Sequence, residues 1–226
     1  MVEKLSVMEI KEEAMIYDSK YDAFGRKMAT ASADGNVHIY DFEVSEKAIT
    51  KFQAHKGPCW RVAWADPKFG NYFATCGFDT DLKIWKEISM NKWEKEYSYS
   101  EHEGSVNCVA FGPWELDFKL AACSSDGTIS MSIWGRNGWL TQKYQTPHLG
   151  PINAVTWAPT SNYGHMKEGT KTANQLLASC GCDKKFVVYN FNHETKTLNS
   201  IFVAVEAHKE WIRDISWNPS ILGSID

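Results

Sequence analysis

The stretch HKGPCWRVAWADPKFGNYFATCGFDTDLKIW, residues 55–85, decides the fold of this 226-residue chain. It opens on His55 and reaches a large aromatic, Trp64, nine residues later. A hydroxyl (Thr75), an Asp in a tight-turn segment (Asp79) and a closing Trp85 follow. Between these marks lie Cys59 to Trp64, Tyr72 to Cys76 and Leu82 to Trp85, separated by Asp66-Pro-Lys-Phe-Gly-Asn71 and by the Asp79 turn. Apolar and aromatic runs bounded by turn residues read as short antiparallel strands. A fourth, outer strand is expected between Trp93 and Tyr99.

Working outward, the plan recurs. His102/Phe111, His148/Trp157 and His208/Trp217 repeat the nine-residue step, and the His spacings are 47, 46 and 60. Asp34, Asp79, Asp126 and Asp183 keep pace at 45, 47 and 57. Self-similarity at a period in the forties marks a radial array of four-stranded blades, a β-propeller. Unit one, Glu12 to Asp41, reads as strand, Asp34-Gly35-Asn36 turn, strand. Unit three carries AACSSDGTISM, with Ala122 in place of the hydroxyl and Ser132 in place of the closing aromatic, and an outer strand from Trp139 to Tyr144. In unit four the aromatic-to-Asp distance is 26 residues against 15 in units two and three. The excess falls in the polar stretch 160–174, which has the composition of an exposed loop. A fifth unit begins at His208, and a lone inner strand is expected near Trp211 to Trp217. The expected layout is one all-β propeller domain, 1–226, C-terminally incomplete. Its blades run approximately over 1–50, 51–100, 101–146 and 147–206, with the start of a fifth at 207–226.

Composition bounds the function. A content of 43% hydrophobic and 13% aromatic residues, with ten Trp, supplies a core and suits sheets that stack radially. A net charge of −4, with the few Arg (Arg26, Arg61, Arg136, Arg213) scattered, argues against a nucleic-acid surface. Cys76, Cys123 and Cys180 each precede a repeat Asp by three residues, so they occupy one structural position used three times and do not face each other as disulfide partners. With no glycosylation sequon, and a start MVEKLSVMEI too charged for a signal peptide, the chain reads as a reduced cytosolic or nuclear protein. No apolar run approaches membrane-span length.

One constellation imitates catalysis. His55, Thr75 and Asp79 are expected to meet beside Trp85, in the manner of a nucleophile triad. Partial copies recur as Thr30 and Asp34, as Asp126, and as His148, Ser179 and Asp183. A catalytic site needs one copy, whereas a hydrogen-bond network that pins each hairpin needs one per blade. The set is therefore read as structural, and no enzyme is expected. Cys180-x-Cys182 is too tightly spaced for a zinc knuckle, and no glycine motif cradles a phosphate. Neither metal nor cofactor is expected. Five residues after each repeat His stand Trp60, Asn107, Asn153 and Arg213, candidate partner-facing residues because Trp and Arg are good binding anchors.

This His–aromatic–Asp–Trp grammar resembles the WD-repeat family, with Trp85-Lys86 and Tyr40-Asp41 where that family has its Trp-Asp pair. The strings EEAMIYDSKYDAFGRKMATASADGNVHIYD, Trp60-Arg-Val-Ala-Trp-Ala-Asp-Pro-Lys-Phe-Gly-Asn71, Ser124-Ser-Asp-Gly127, Gly181-Cys-Asp183 and Trp211-Ile-Arg-Asp214 are similar to the Sec-thirteen family within it. The substitutions Glu12, Ala122, Ser132 and Tyr189 depart from the repeat pattern and are expected to weaken the polar network in three blades. That resemblance implies an open six-bladed propeller whose gap is filled by a blade inserted from a larger partner. It implies a structural role in the COPII vesicle coat, in endoplasmic reticulum to Golgi transport, and in the nuclear pore. The implied partners are the large α-solenoid coat subunit of COPII, a scaffold nucleoporin of the Y-complex, and a nutrient-signalling complex as a third home, with membranes met only through the coat. The implied locations are endoplasmic-reticulum exit sites, COPII vesicles and the nuclear pore. A nuclear-pore WD-repeat paralogue and a peptide-binding WD-repeat adaptor are the alternatives. Six blades of about 45 residues need roughly 270 residues, more than this chain has.

Overall fold

Each of the first four sequence units folds into one antiparallel sheet in which consecutive strands are neighbours. The computed structural model describes residues 13–44, 48–114, 117–159 and 175–218. Glu12, the amino-terminal decapeptide and the 160–174 insertion lie outside them. Blade one holds β1 (Ile16–Tyr21), β2 (Lys27–Ser32), β3 (Asn36–Asp41) and β4 (Ala48–Gln53). Blade two holds β5 (Cys59–Trp64), β6 (Tyr72–Gly77), β7 (Leu82–Ser89) and β8 (Lys92–Tyr99). Blade three follows with β9 (Val106–Phe111), β10 (Lys119–Ser124), β11 (Thr128–Gly135) and β12 (Gly138–Gln145). Blade four is β13 (Ile152–Trp157), β14 (Gln175–Gly181), β15 (Phe186–Asn192) and β16 (Thr197–Ala204). A short 3₁₀ turn, Pro67–Phe69, interrupts the loop after β5, capped by the Asp66 carboxylate on the Lys68 amide. Strand β4 runs past the expected boundary at residue 50 because Phe52 still pairs with Val37 across the ladder.

The core lies at the seams between blades. The first strands form the inner ring, β1 against β5, β5 against β9 and β9 against β13. The second strands β2, β6 and β10 are buried along their whole length. Their small residues, among them Ala29, Ala31, Ala74, Ala121 and Ala122, let neighbouring sheets approach face to face. Larger side chains fill the seams: Phe73, Trp85 and Trp93 between blades one and two, Phe118 and Trp139 between two and three, Trp157, Tyr189 and Phe191 between three and four.

Residues 211–218 do not form the expected lone strand. A strand is defined by its ladder, and no further strand of a fifth sheet lies among the described residues. The segment instead lies against blade four, with the Ile212 amide donating to the Gly181 carbonyl at 3.2 Å.

Candidate functional site

The repeat Asp residues sit in the turns between second and third strands, and in blades two, three and four each is met by the His that precedes its blade. In blade two, His55 Nδ1 lies 2.7 Å from Asp79, His55 Nε2 lies 2.8 Å from Thr75 Oγ1, and the Trp85 indole N–H donates to Thr75 Oγ1 at 3.0 Å. The indole can only donate, so the Thr hydroxyl accepts from it, and with the hydroxyl proton given to Nε2 the Nδ1–H serves Asp79 and every member is paired. The Lys56 amide adds a bond to the second Asp79 oxygen at 3.0 Å. Burial raises the Asp79 carboxyl, but His55, the Lys56 amide and Lys83 outweigh it and hold the group below the usual carboxylate range.

Blade three keeps the network by a route the sequence hid. Ala122 provides no hydroxyl, but its ladder partner Ser130 does, at 2.8 Å from His102 Nε2. His102 Nδ1 lies 3.1 Å from Asp126, and the Glu103 amide caps the same carboxylate at 3.0 Å. Blade four closes too: His148 bridges Asp183 at 2.9 Å and Ser179 at 2.8 Å, and the Tyr189 hydroxyl takes the place of an indole at 3.1 Å from Ser179. The expected weakening is absent from these two blades, because a hydroxyl on a neighbouring strand or at the tip of a Tyr reaches the same point. In blade one Asp34 is held by Ser32 at 2.5 Å and by Asn36, and burial of Asp34 is outweighed so that its carboxyl lies at about 2. Thr30 Oγ1, assigned to that set, is buried and makes no hydrogen bond to any described residue.

This arrangement fixes hairpins. His55 is 1% exposed and Thr75 is 0% exposed, so no substrate reaches the hydroxyl. Among the described residues no group of three or more His, Cys, Asp or Glu side chains could hold a metal ion. The six Cys are all free, and five are buried.

The residues five after each His form seams between blades. The Trp60 indole donates to Ser105 Oγ at 2.6 Å, Asn107 Nδ2 to the Ile152 carbonyl at 2.8 Å, and Asn153 Nδ2 to the Ile212 carbonyl at 2.8 Å. Each reaches forward to the next blade. Arg213 alone of the four lies exposed without such a bond. The aromatics nine after each His reach backward: Trp64 to the Lys20 carbonyl at 2.8 Å, Trp157 to Ala110 at 3.1 Å, Trp217 to Thr156 at 3.3 Å. Phe111, in the same place in blade three, has no N–H and packs at the seam through its ring alone.

The inner strands line an open cleft of about 370 Å³. One position recurs on its wall: Asp18, Arg61, Cys108 and Asp214 line it, whereas Ala154, in the same place in β13, is buried. Arg61 reaches across to Asp214 at 3.3 Å, and Asp18 accepts the Val62 amide at 3.1 Å. Burial raises the Asp18 carboxyl in spite of that bond and of Lys20 and Arg61 nearby.

The comparisons with known proteins agree with this geometry. The family described as "WD domain, G-beta repeat" matches residues 46–86, 93–131 and 140–190. Each match begins on or beside the outer strand of one blade and ends in the third strand of the next, so every repeat staples two blades together. A protein transport protein SEC13 of Coccidioides immitis is 37% identical over 216 residues, 92% of this chain and 70% of that protein. The chain belongs to the SEC13 family of WD-repeat proteins. Another SEC13-family relative, a SEC13 homolog of Drosophila melanogaster, is 34% identical over 98% of this chain and 63% of its own length. This member of the SEC13 family thus spans roughly two thirds of the curated relatives it matches. A chain in the crystal structure of a mitotic checkpoint complex superposes with a TM-score of 0.66 over 84% of this chain and 52% of that one, at 18% identity, a likeness of fold.

Proposed function

We propose that this SEC13-family chain is a scaffold subunit in vesicle-mediated protein transport, acting at the cytoplasmic side of the secretory pathway. The finer form of the proposal is a COPII coat subunit at endoplasmic-reticulum exit sites, shared with the nuclear-pore scaffold, and completed by a blade from a larger α-solenoid partner. Support comes from the relatives' printed role in protein transport and from one structural contrast. The inner strands β5, β9 and β13 hold only buried and half-buried residues, whereas β1 is exposed at every residue except Asp18. No described blade covers the outer side of blade one. A strand edge and face left open in this way are suited to β-augmentation by a partner.

The peptide-binding adaptor reading has less to stand on. Trp60, Asn107 and Asn153, its candidate anchors, spend their polar atoms on neighbouring blades. Affinity purification of the tagged protein from cells, with mass spectrometry of stoichiometric partners, decides between the readings. An α-solenoid coat subunit or scaffold nucleoporin is the expected catch. Recovery of ligase subunits or short-motif ligands in their place defeats the scaffold reading.

A further inference from the structure

The second-strand position that carries Cys76, Cys123 and Cys180 faces a different inner-strand residue in each blade. Cys76 pairs with Arg61, Cys180 with Ala154, and in blade one Ala31 pairs with Asp18. Only in blade three, among the described ladders, do two Cys stand opposite one another, Cys123 across from Cys108. Directly opposed residues of an antiparallel pair have Cα atoms about 4.5–5.5 Å apart, and a disulfide accepts about 4.4–6.8 Å. The strands therefore need not move for the two sulfurs to bond.

Side-chain direction agrees. Cys108 Sγ lies 3.7 Å from the Val155 carbonyl and Cys123 Sγ 3.7 Å from the Ile152 carbonyl. Both thiols thus leave the same face of the blade and point at the same strand, β13. Their access differs. Cys108 lines the open cleft beside Arg61 and is 7% exposed, while Cys123 is 0% exposed behind it. We infer that Cys108 and Cys123 are a peroxide-oxidisable dithiol, entered from the cleft along the inner strands and closing to a cross-strand disulfide inside blade three.

The chemistry assigns the two sulfurs different tasks. A hydrogen bond from Cys123 pulls the Cys108 thiol down against the effect of burial, helped by Arg61, whereas burial pushes Cys123 well up. Cys108 is the attacking thiolate. Its sulfur takes one oxygen of hydrogen peroxide, the O–O bond breaks, and the hydroxide released is protonated to water, leaving a sulfenic acid on Cys108. Cys123 then attacks that sulfur: the S–S bond forms, the S–O bond breaks, and the departing hydroxide carries off the Cys123 proton as a second water. The dithiol loses two electrons and the peroxide gains them.

The test oxidises the folded, fully reduced 226-residue chain with hydrogen peroxide, blocks remaining thiols in denaturant and maps non-reduced peptides by mass spectrometry. The expected result is one linkage, Cys108 to Cys123, with blockable thiols falling from the six of the sequence to four. Cys123→Ala is expected to leave a sulfenic acid on Cys108 that dimedone traps. Cys108→Ala, which places in blade three the residue blade four already carries at Ala154, is expected to abolish both products. In urea the same treatment should scatter linkages over all the thiols. Oxidation that spares Cys108 and falls on the half-exposed Cys182, or a Cys108–Cys123 yield no higher folded than in urea, overturns the inference. The wild-type map decides by itself if a variant fails to fold.

Discussion

At the scale of single residues, the repeat His of blades two, three and four is the joint between one sheet and the turn of the same sheet. Removing it strands a carboxylate whose other partners are backbone amides and a Lys. His55→Ala is expected to cost about 1–3 kcal/mol in urea unfolding. The residue after each Asp carries a second signal. Gly35 and Gly127 take φ of 81° and 79°, and the equivalent Thr80 and Lys184 hold 69° and 64° in spite of their Cβ atoms. The left-handed region costs a side-chain-bearing residue about 1–2 kcal/mol, while Gly loses about 0.5–1 kcal/mol in backbone entropy. Thr80→Gly is therefore expected to stabilise the protein by roughly 0.5–1 kcal/mol, seen as a raised urea midpoint at unchanged slope. Gly35→Ala runs the other way, since its Cβ would enter the carbonyl oxygens of His55 and Gly57.

Elements are held to one another by two kinds of bond, and only one was legible in the sequence. The hairpins follow from strand runs and Asp turns: β5 to β7 appear where the 55–85 stretch places them, and β8 where the outer strand between Trp93 and Tyr99 is expected. The nine-residue step from His to aromatic was visible, but its purpose was not. The acceptor of the Trp157 indole is a backbone carbonyl, that of Ala110, and every residue type carries one. Ser130 escaped for a related reason: the repeat pattern looks for a hydroxyl at Ala122, and the structure supplies it from the facing strand. The Lys27–Glu87 pair, 2.5 Å apart with side chains 10% and 6% exposed, joins blades one and two and has no repeat counterpart to announce it. Glu87 also accepts Asn71 Nδ2 and the Asn91 amide. Lys27→Met is expected to cost about 3–5 kcal/mol by leaving a buried carboxylate unpaired. Adding Glu87→Leu should recover most of it, a result a double-mutant cycle in urea reads directly.

The molecule as a whole repeats its electrostatics, so its acid response is summed over blades. Asp34, Asp79, Asp126 and Asp183 all hold carboxyls below their ordinary value. Each contributes stability that is complete above the unfolded carboxylate pKa of about 3.9 and fades as pH falls through the folded value. His102 acts higher: burial lowers it despite Asp126, so the unfolded chain binds its proton first. Stability should decline gently below about pH 6.5 and steeply below about pH 4. Asp126→Asn is expected to flatten the acid limb of the midpoint-against-pH curve. Architecture at this scale was readable from the period of the His and Asp marks. What periodicity could not give was the fate of 211–218, because strand pairing depends on a partner and not on the segment's own residues. The backward-reaching indoles of Trp64, Trp157 and Trp217 also make the propeller an optical gauge of its own seams. An indole that loses its carbonyl and meets water emits at longer wavelength. Bending of the ring under load would therefore appear as a colour change assignable, Trp by Trp, to the seam that opened.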